Sequence, residues 1–374
     1  LDELLRMEAS AEHGKLCSCS RDVAATIRCL ECHPDRLQCA QCALESHSSL
    51  PLHRTERWQD NHFVAAPLID FGLMYHLSHD GARCPSWKDG DKNPDGHIIQ
   101  VAHVNGFHAV RIGFCRCLNA PSHATQLLRM RMFPGTLSKP RTAYTISLLV
   151  TFHTLTRESN LNTYDYAKAL ARFTDQYSPY DIKTRYDNFR IVVRFWRDLQ
   201  MKLRSGQHVG LLAELPPVHQ GSIALLCPAC PQPDANATSS SDGAPGSDNH
   251  QRTLYLSMDA NFRAQQKDKT NDPADFHLHP GGAYFREDSA FREYLAAVGD
   301  EHEVCCTTAC ASTCSGFKAL NVLRAGRYKN TLVSGILSVM CARHSFFRPN
   351  GTVDLQKGER YTHADYALAG ALAG

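Results

Sequence analysis

Cys17-Ser-Cys19, Cys29-Leu-Glu-Cys32, Cys39-Ala-Gln-Cys42, then His47 and His53: these four close pairs of potential metal ligands decide how the chain is read. Two ligands separated by a few residues grip one edge of a zinc tetrahedron, and a second pair completes the site. Four pairs in succession therefore predict two ions held crosswise, pairs one and three on one ion and pairs two and four on the other. The first ion takes Cys17, Cys19, Cys39 and Cys42, and the second takes Cys29, Cys32, His47 and His53. His33 is a possible substitute in either site. The alternative, a set of reduced core cysteines, does not account for the regular spacing. Four protein ligands leave no open coordination position, so such zinc is structural rather than catalytic.

The 374 residues include 16 Cys and 20 His, with a net charge of +2. That length allows two or three domains with cores of their own. A charge so close to neutral confines any nucleic-acid surface to a local patch. No apolar run is long enough to span a membrane. The acidic start Leu1-Asp2-Glu3 resembles no secretion signal, so the cysteines are read as ligands rather than disulfides, and the sequons at Asn236 and Asn350 as inert. A chain that opens on Leu1 and closes on Ala-Gly-Ala-Leu-Ala-Gly374 is expected to be a fragment or an incomplete gene product.

Residues 1–16 form a lead-in, and a cysteine-cluster region is expected over 17–120. Its first module runs to about residue 60 and is followed by a β-leaning part. There Val110 and Ile112 alternate with Arg111 and Gly113, as on a half-buried strand. His79, Cys84, Cys115 and Cys117 make a third ligand set, weaker as a signal because its halves lie far apart in sequence. A helical domain is expected over 135–206. Tyr144, Leu148, Phe152 and Leu155 share one helical face, Thr163 is placed to cap a second helix with Tyr166, Leu170 and Phe173 inward, and Phe189, Val192, Val193, Trp196, Leu199 and Leu203 stripe a third. Arg190, Arg194, Arg197 and Arg204 project on a separate face of that last helix, either as phosphate contacts or as an ordinary solvated face.

Beyond Pro216-Pro217, Cys227-Pro-Ala-Cys230 forms a tight knuckle of zinc-ligand type, and 231–251 reads as a disordered loop. The apolar run Leu254 to Phe262 reads as a buried strand with Asp259 near its end. An irregular insertion over 264–330 carries Cys305, Cys306, Cys310 and Cys314, as metal ligands or free thiols. A second apolar run, Thr331 to Met340, ends in Cys341-Ala-Arg-His344.

These motifs, in order, resemble the fungal Kyakuja–Dileera–Zisupton (KDZ) transposases with their associated CxC-type cysteine cluster. The resemblance rests on the cysteine pairs with Ser46-His47 to His53-Arg54 and Trp58, on Asn105-Gly-Phe-His108 and Phe114-Cys-Arg-Cys117, and on Cys227-Pro-Ala-Cys230-Pro231. It continues through Ser257-Met-Asp259-Ala-Asn-Phe-Arg263, Cys341-Ala-Arg-His344, Arg348-Pro-Asn-Gly351 and Asp354-Leu-Gln-Lys-Gly358-Glu-Arg-Tyr361. It implies an α+β multidomain chain: zinc-stabilised module, helical middle, then over 220–374 the start of an RNase H-like α/β domain. It also implies two divalent ions, Mg²⁺ or Mn²⁺, on an Asp-Asp-Glu triad in a complete catalytic domain. One ion activates the nucleophile and the other stabilises the leaving oxygen. Asp259 matches the first triad position. The second Asp and the Glu are expected beyond Tyr361 and do not appear before Gly374, so the chain alone is expected to be catalytically incompetent.

In an RNase H-like sheet the second strand runs antiparallel to the first, so its end lies beside the start of the first. Cys227, Cys230, Cys341 and His344 are therefore expected to share one further structural zinc, bringing the total to between two and four ions. The resemblance implies DNA as partner, with chromatin proteins possible, and action in the nucleus. A catalytically dead or domesticated zinc module recognising DNA or protein is the alternative. A ubiquitin-pathway zinc adaptor gives no role to the Asp259 and Cys341 strings.

Overall fold

The computed structural model describes residues 1–8, 14–19, 21–33, 36–87, 96–206, 219–232, 253–268, 276–299, 331–356 and 360–373. Nearly all of the expected loop at 231–251, and Cys305, Cys306, Cys310 and Cys314, lie outside the described residues. The chain divides into two compact units, Leu1–Trp196 and Arg197–Gly374. No described helix is long and apolar enough to cross a membrane.

In the first unit, helix α1 (Asp2–Glu8) precedes a small antiparallel sheet of β1 (Ile27–Cys29), β2 (Thr55–Gln59) and β3 (His62–Ala65), with α2 (Ala40–Ser46) inserted between the first two strands. Cys29 pairs with Thr55, which brings the second cysteine pair beside the His53 segment. A mixed five-stranded sheet follows, ordered β4-β6-β5-β8-β7. Its strands are β4 (Met74–His76), β5 (His97–His103), β6 (Gly106–Gly113), β7 (Met132–Pro134) and β8 (Thr142–Thr145), with α3 (His123–Arg129) before β7. Val110 and Ile112 are buried on β6, as their alternation predicted.

Three helices complete this unit: α4 (Ile146–Ser159), α5 (Thr163–Thr174) and α6 (Tyr186–Arg204), the last running to the end of the unit and beyond it. They do not form a core apart from the sheet. Ala102 of β5 and Tyr144 of β8 are buried together with Leu148, Leu149 and Phe152 of α4, Tyr166 and Leu170 of α5, and Phe189, Val192, Val193 and Trp196 of α6. Tyr144 thus packs with the helices but lies on a strand. Thr145, whose side chain accepts a hydrogen bond from the Leu148 N–H, caps α4, so the helix starts at Ile146, two residues after Tyr144. Asn162, not Thr163, caps α5 by accepting from the Asp165 N–H at 2.9 Å. Leu155, Phe173, Leu199 and Leu203, expected inward, are exposed. All four sit near the C-terminal ends of their helices, past the reach of the shared core.

The second unit holds an antiparallel sheet ordered β13-β12-β9, made of β9 (Leu256–Asn261), β12 (Gly335–Cys341) and β13 (Phe347–Leu355), followed by helix α8 (Tyr361–Ala373). A second ladder, β10 (Gln266–Lys267) with β11 (Thr331–Val333), brackets the long insertion, in which α7 (Asp288–Val298) is described. Leu337, Val339, Val353 and Leu355 face Ala367 and Ala371 of α8 and Phe291 of α7.

The string Arg348-Pro-Asn-Gly351 acquires a physical meaning here. Between the pairs Ser338↔Thr352 and Met340↔Phe347, β13 uses five steps against two on β12, so the string is a bulge. Asn350 adopts φ 50° at its centre. Its amide donates to Gly281 O (2.8 Å) and Phe285 O (3.1 Å), and its oxygen accepts from the Gly221 N–H (3.1 Å). Arg348 donates to Ala371 O at 3.0 and 3.2 Å, closing the C-terminal turn of α8. The buried Asn350 side chain is fully engaged and offers no accessible glycan acceptor.

His363, fully buried on α8, accepts the Arg360 backbone N–H at Nδ1. Burial pushes its imidazole down to about 4. An unfolded histidine titrates near 6.5, so between those values only the unfolded chain binds the proton. The resulting contribution is complete above pH 6.5 and is lost as pH falls through that window. It amounts to about 2 kcal/mol between pH 7 and pH 5. Denaturant midpoints of wild type and His363→Gln should therefore converge as pH drops from 7 to 5. Parallel pH profiles would show that His363 is not held neutral.

Candidate metal centres

Sixteen side chains form four groups, and within each group the ligand atoms all lie within 4.8 Å of one another. The groups are Cys17/Cys19/Cys39/Cys42, Cys29/Cys32/His47/His53, His79/Cys84/Cys115/Cys117 and Cys227/Cys230/Cys341/His344. These are the partitions expected from the sequence, crosswise pairing included. His33 is exposed and belongs to none of them. All twelve described cysteines are free thiols.

Around a zinc with Zn–S near 2.3 Å, tetrahedral sulfurs sit about 3.8 Å apart. Cys19 and Cys39 approach to 3.8 Å, and Cys84 and Cys117 to 3.7 Å. In the second group, His53 Nδ1 lies 3.4 Å from both Cys29 and Cys32, and His47 Nε2 lies 3.4 Å from Cys32. His79 Nε2 stands 3.3 Å from Cys115. The donor sets S₄, S₂N₂ and S₃N suit zinc, and the spacings fit it.

The surroundings prepare these groups for a cation. Backbone N–H groups of Cys19 and Cys39 point at Cys17 and bring its thiol down to about 6. Burial opposes ionisation of Cys84, but the Arg116 and Ser86 N–H groups outweigh it and lower that thiol to about 6 as well. The buried His47 directs Nδ1 at Ala43 O, 2.8 Å away. Donating there fixes the tautomer that leaves Nε2 free to ligate. Helix α2 thus supplies both Cys42 and the carbonyl that orients His47.

Two sets of side chains support the metal loops in roles that the sequence did not indicate, although the Asn105 string was among its motifs. Gln126, buried on α3, accepts the Cys115 N–H at 2.8 Å and donates to Cys115 O (3.2 Å) and Pro121 O (2.9 Å), bracing the Cys115-Arg-Cys117 loop. Glu31, inside the Cys29–Cys32 loop, accepts from Arg54 N–H (2.6 Å), Arg54 Nε (2.7 Å) and Asn105 Nδ2 (3.0 Å). Burial works to raise the Glu31 carboxyl, and the Arg54 contacts override it, holding it below its usual range. Asn105 also donates to Leu52 O, and its oxygen faces His108 Nε2 at 2.8 Å. Because the Asn105 nitrogen is engaged as donor, His108 must donate to its oxygen. The Asn105-Gly-Phe-His108 string thus ties the second metal loop to the β5–β6 hairpin. No ligand-spacing rule signals either set, since the hydrogen bonds that define them depend on how the loops fold together.

Asp259 lies on β9, exposed, paired with Ser338 in register, and accepts the neighbouring Ala260 N–H. Among the described residues no metal-holding group includes it. The four arginines divide. Arg190 and Arg194 are half-buried and have partners within the fold, whereas Arg197 and Arg204 are exposed on α6.

Comparison with known families finds two matches. Residues 68–178 match a CxC2-like cysteine cluster associated with KDZ transposases, and residues 252–374 match the Kyakuja-Dileera-Zisupton transposase domain. The chain belongs to the KDZ transposase family. No curated protein and no solved structure matches it. The KDZ match contains Asp259, Cys341 and His344, and the cysteine-cluster match contains the third metal group with Gln126 and the Asn105 string. The first two metal groups and the Cys227–Cys230 knuckle lie outside both matches.

Proposed function

We propose that this KDZ chain is a zinc-supported DNA-binding polypeptide whose β13-β12-β9 sheet begins an RNase H-like strand-transfer domain. In this reading the first three metal groups hold structural zinc, and Asp259 is the first carboxylate of a two-metal site. The observation that carries it is the exposed Asp259 on β9, an outer strand of an antiparallel meander followed by a helix, inside the KDZ match. Divalent Mg²⁺ or Mn²⁺, once bound by a full carboxylate set, would activate a nucleophilic oxygen and stabilise the leaving one. The role of this chain is to hold one hard oxygen ligand on a rigid strand and to keep it exposed. Arg197 and Arg204 provide phosphate contacts, and the nucleus is the place of action.

Titration of duplex DNA against salt tests the binding half. Each lost phosphate contact flattens the log–log salt dependence by about 0.9, so Arg197→Ala with Arg204→Ala should reduce the slope by about 2. An unchanged slope would remove these arginines from the interface. The catalytic half predicts that Mg²⁺-dependent strand cleavage disappears in Asp259→Ala, and cleavage unchanged by that substitution would overturn it. A second reading, a domesticated zinc module that recognises DNA or chromatin proteins without chemistry, draws on the lack of other ligands grouped with Asp259 among the described residues. Strand cleavage with Mg²⁺ separates the two, because only the first reading makes it depend on Asp259.

A further inference from the structure

We infer that Cys227, Cys230, Cys341 and His344 bind one zinc ion that locks the register of β9 against β12 and so fixes the face on which Asp259 stands. The metal assignment rests on this structure, and only the role given to Asp259 rests on the reading above. Cys227, Cys230 and Cys341 are buried and His344 closes the group from the exposed side. His344 Nδ1 lies 3.4 Å from Cys227, 3.5 Å from Cys341 and 3.9 Å from Cys230, while Cys230 and Cys341 approach to 2.9 Å and must part by about 1 Å to share a zinc. Both halves are tight turns of the kind that present paired ligands. The Cys230 N–H donates to Cys227 O in one, and the Ser345 N–H to Cys341 O in the other. Gln232 ties the first turn by donating to Cys227 O at 2.9 Å. Four protein ligands complete a tetrahedron, which makes this ion structural.

Its position gives it a purpose. Cys341 pairs with Leu256, the first residue of β9, and the Ala342 N–H donates to Tyr255 O just before it. Leu254 packs on the three cysteines. The ion therefore lies at the entry of β9, and Asp259 follows three residues along, about 10 Å away at 3.3 Å per residue. β9 is the outer strand of its sheet, and β12 is its strand partner among the described residues. Leu256, Ala260 and Phe262 pack toward the α8 side, while Asp259 alternates to the other face. A one-residue slip would reverse those faces and drive Asp259 toward the apolar core. A short outer strand resists slippage weakly by itself. The ion joins the 227–230 knuckle to the end of β12, and Leu254, packed on its three cysteines, with the Ala342 N–H bonded to Tyr255 O, anchors the entry of β9 to that joint.

Zinc content of the purified chain, measured by elemental mass spectrometry alongside amide exchange, tests the inference. Cys227→Ser/Cys230→Ser should contain one zinc fewer per chain. Exchange across 254–261 should rise at least tenfold while β5 and β6 keep wild-type protection. An unchanged zinc count overturns the metal assignment, and a lost zinc with unchanged exchange in β9 overturns the clamp. Wild-type protein supplies a measurement that does not depend on the variant folding. Alkylation of Cys227, Cys230 and Cys341 should accelerate after chelation, and equal rates before and after would also overturn the assignment. Failure of DNA binding or cleavage would leave all of these readouts untouched, so the two readings fail separately.

Discussion

Chelating zinc from the intact chain is expected to unfold residues 14–65 while leaving the five-stranded sheet and its helices folded. The N-terminal module has only a small apolar core, with Ile27, Ala43 and Trp58 buried besides the cysteine cluster. Its buried cluster is Cys17, Ala25 and Cys39, with Cys19, Leu37 and Cys42 partly covering them. Its longest strand is the five-residue β2, and α2 has seven residues. Elements of that size are not stable by themselves. Structural zinc contributes about 10–16 kcal/mol of binding free energy in small zinc modules, as much as the whole stability of an ordinary domain at about 5–15 kcal/mol. Cys39→Ser should release one zinc per chain and expose 14–65 to proteolysis. The attachment of Leu52 to the sheet core and the Glu31–Asn105 contact should leave the module tethered. Protease resistance of 14–65 that survives complete metal removal would refute this account.

Truncating Phe189 to Ala should cost the first unit about 4 kcal/mol, read as a lowered denaturant midpoint. Phe189 is almost wholly buried, and its ring lies 5.3 Å from those of Tyr144 and Phe152 and 6.2 Å from Tyr166. Those three partners come from β8, α4 and α5, so the cavity would open where sheet and helices meet. Phe173→Ala, on the exposed end of α5, is the matched control and should change stability by no more than about 0.5 kcal/mol. Equal effects of the two substitutions would mean that sheet and helices do not share one core.

Short-range chemistry made the metal groups legible. Two ligands separated by one or two residues must present themselves together whatever the fold, and a tetrahedral ion needs two such pairs. For the fourth group a topological argument was also needed, because its halves are more than a hundred residues apart. The roles of the supports were not legible: Glu31 and Asn105 meet across 74 residues of chain, and Gln126 braces the backbone of a loop whose path only the fold decides. Arg190 and Arg194 show the same limit, since helical spacing placed them on one stripe with Arg197 and Arg204 but not in partnership within the fold.

The amino-acid sequence by itself determined the partition of the first two metal groups, the helices at 146–204 and the strands bearing Asp259 and Cys341, because each follows from local spacing and periodicity. Only the tertiary structure decided that Tyr144 sits on a strand, that sheet and helices of the first unit bury one core, and that the Arg348-Pro-Asn-Gly351 string is a bulge closing α8. Those outcomes depend on which surfaces meet, and burial between segments distant in sequence leaves no periodic trace in either of them.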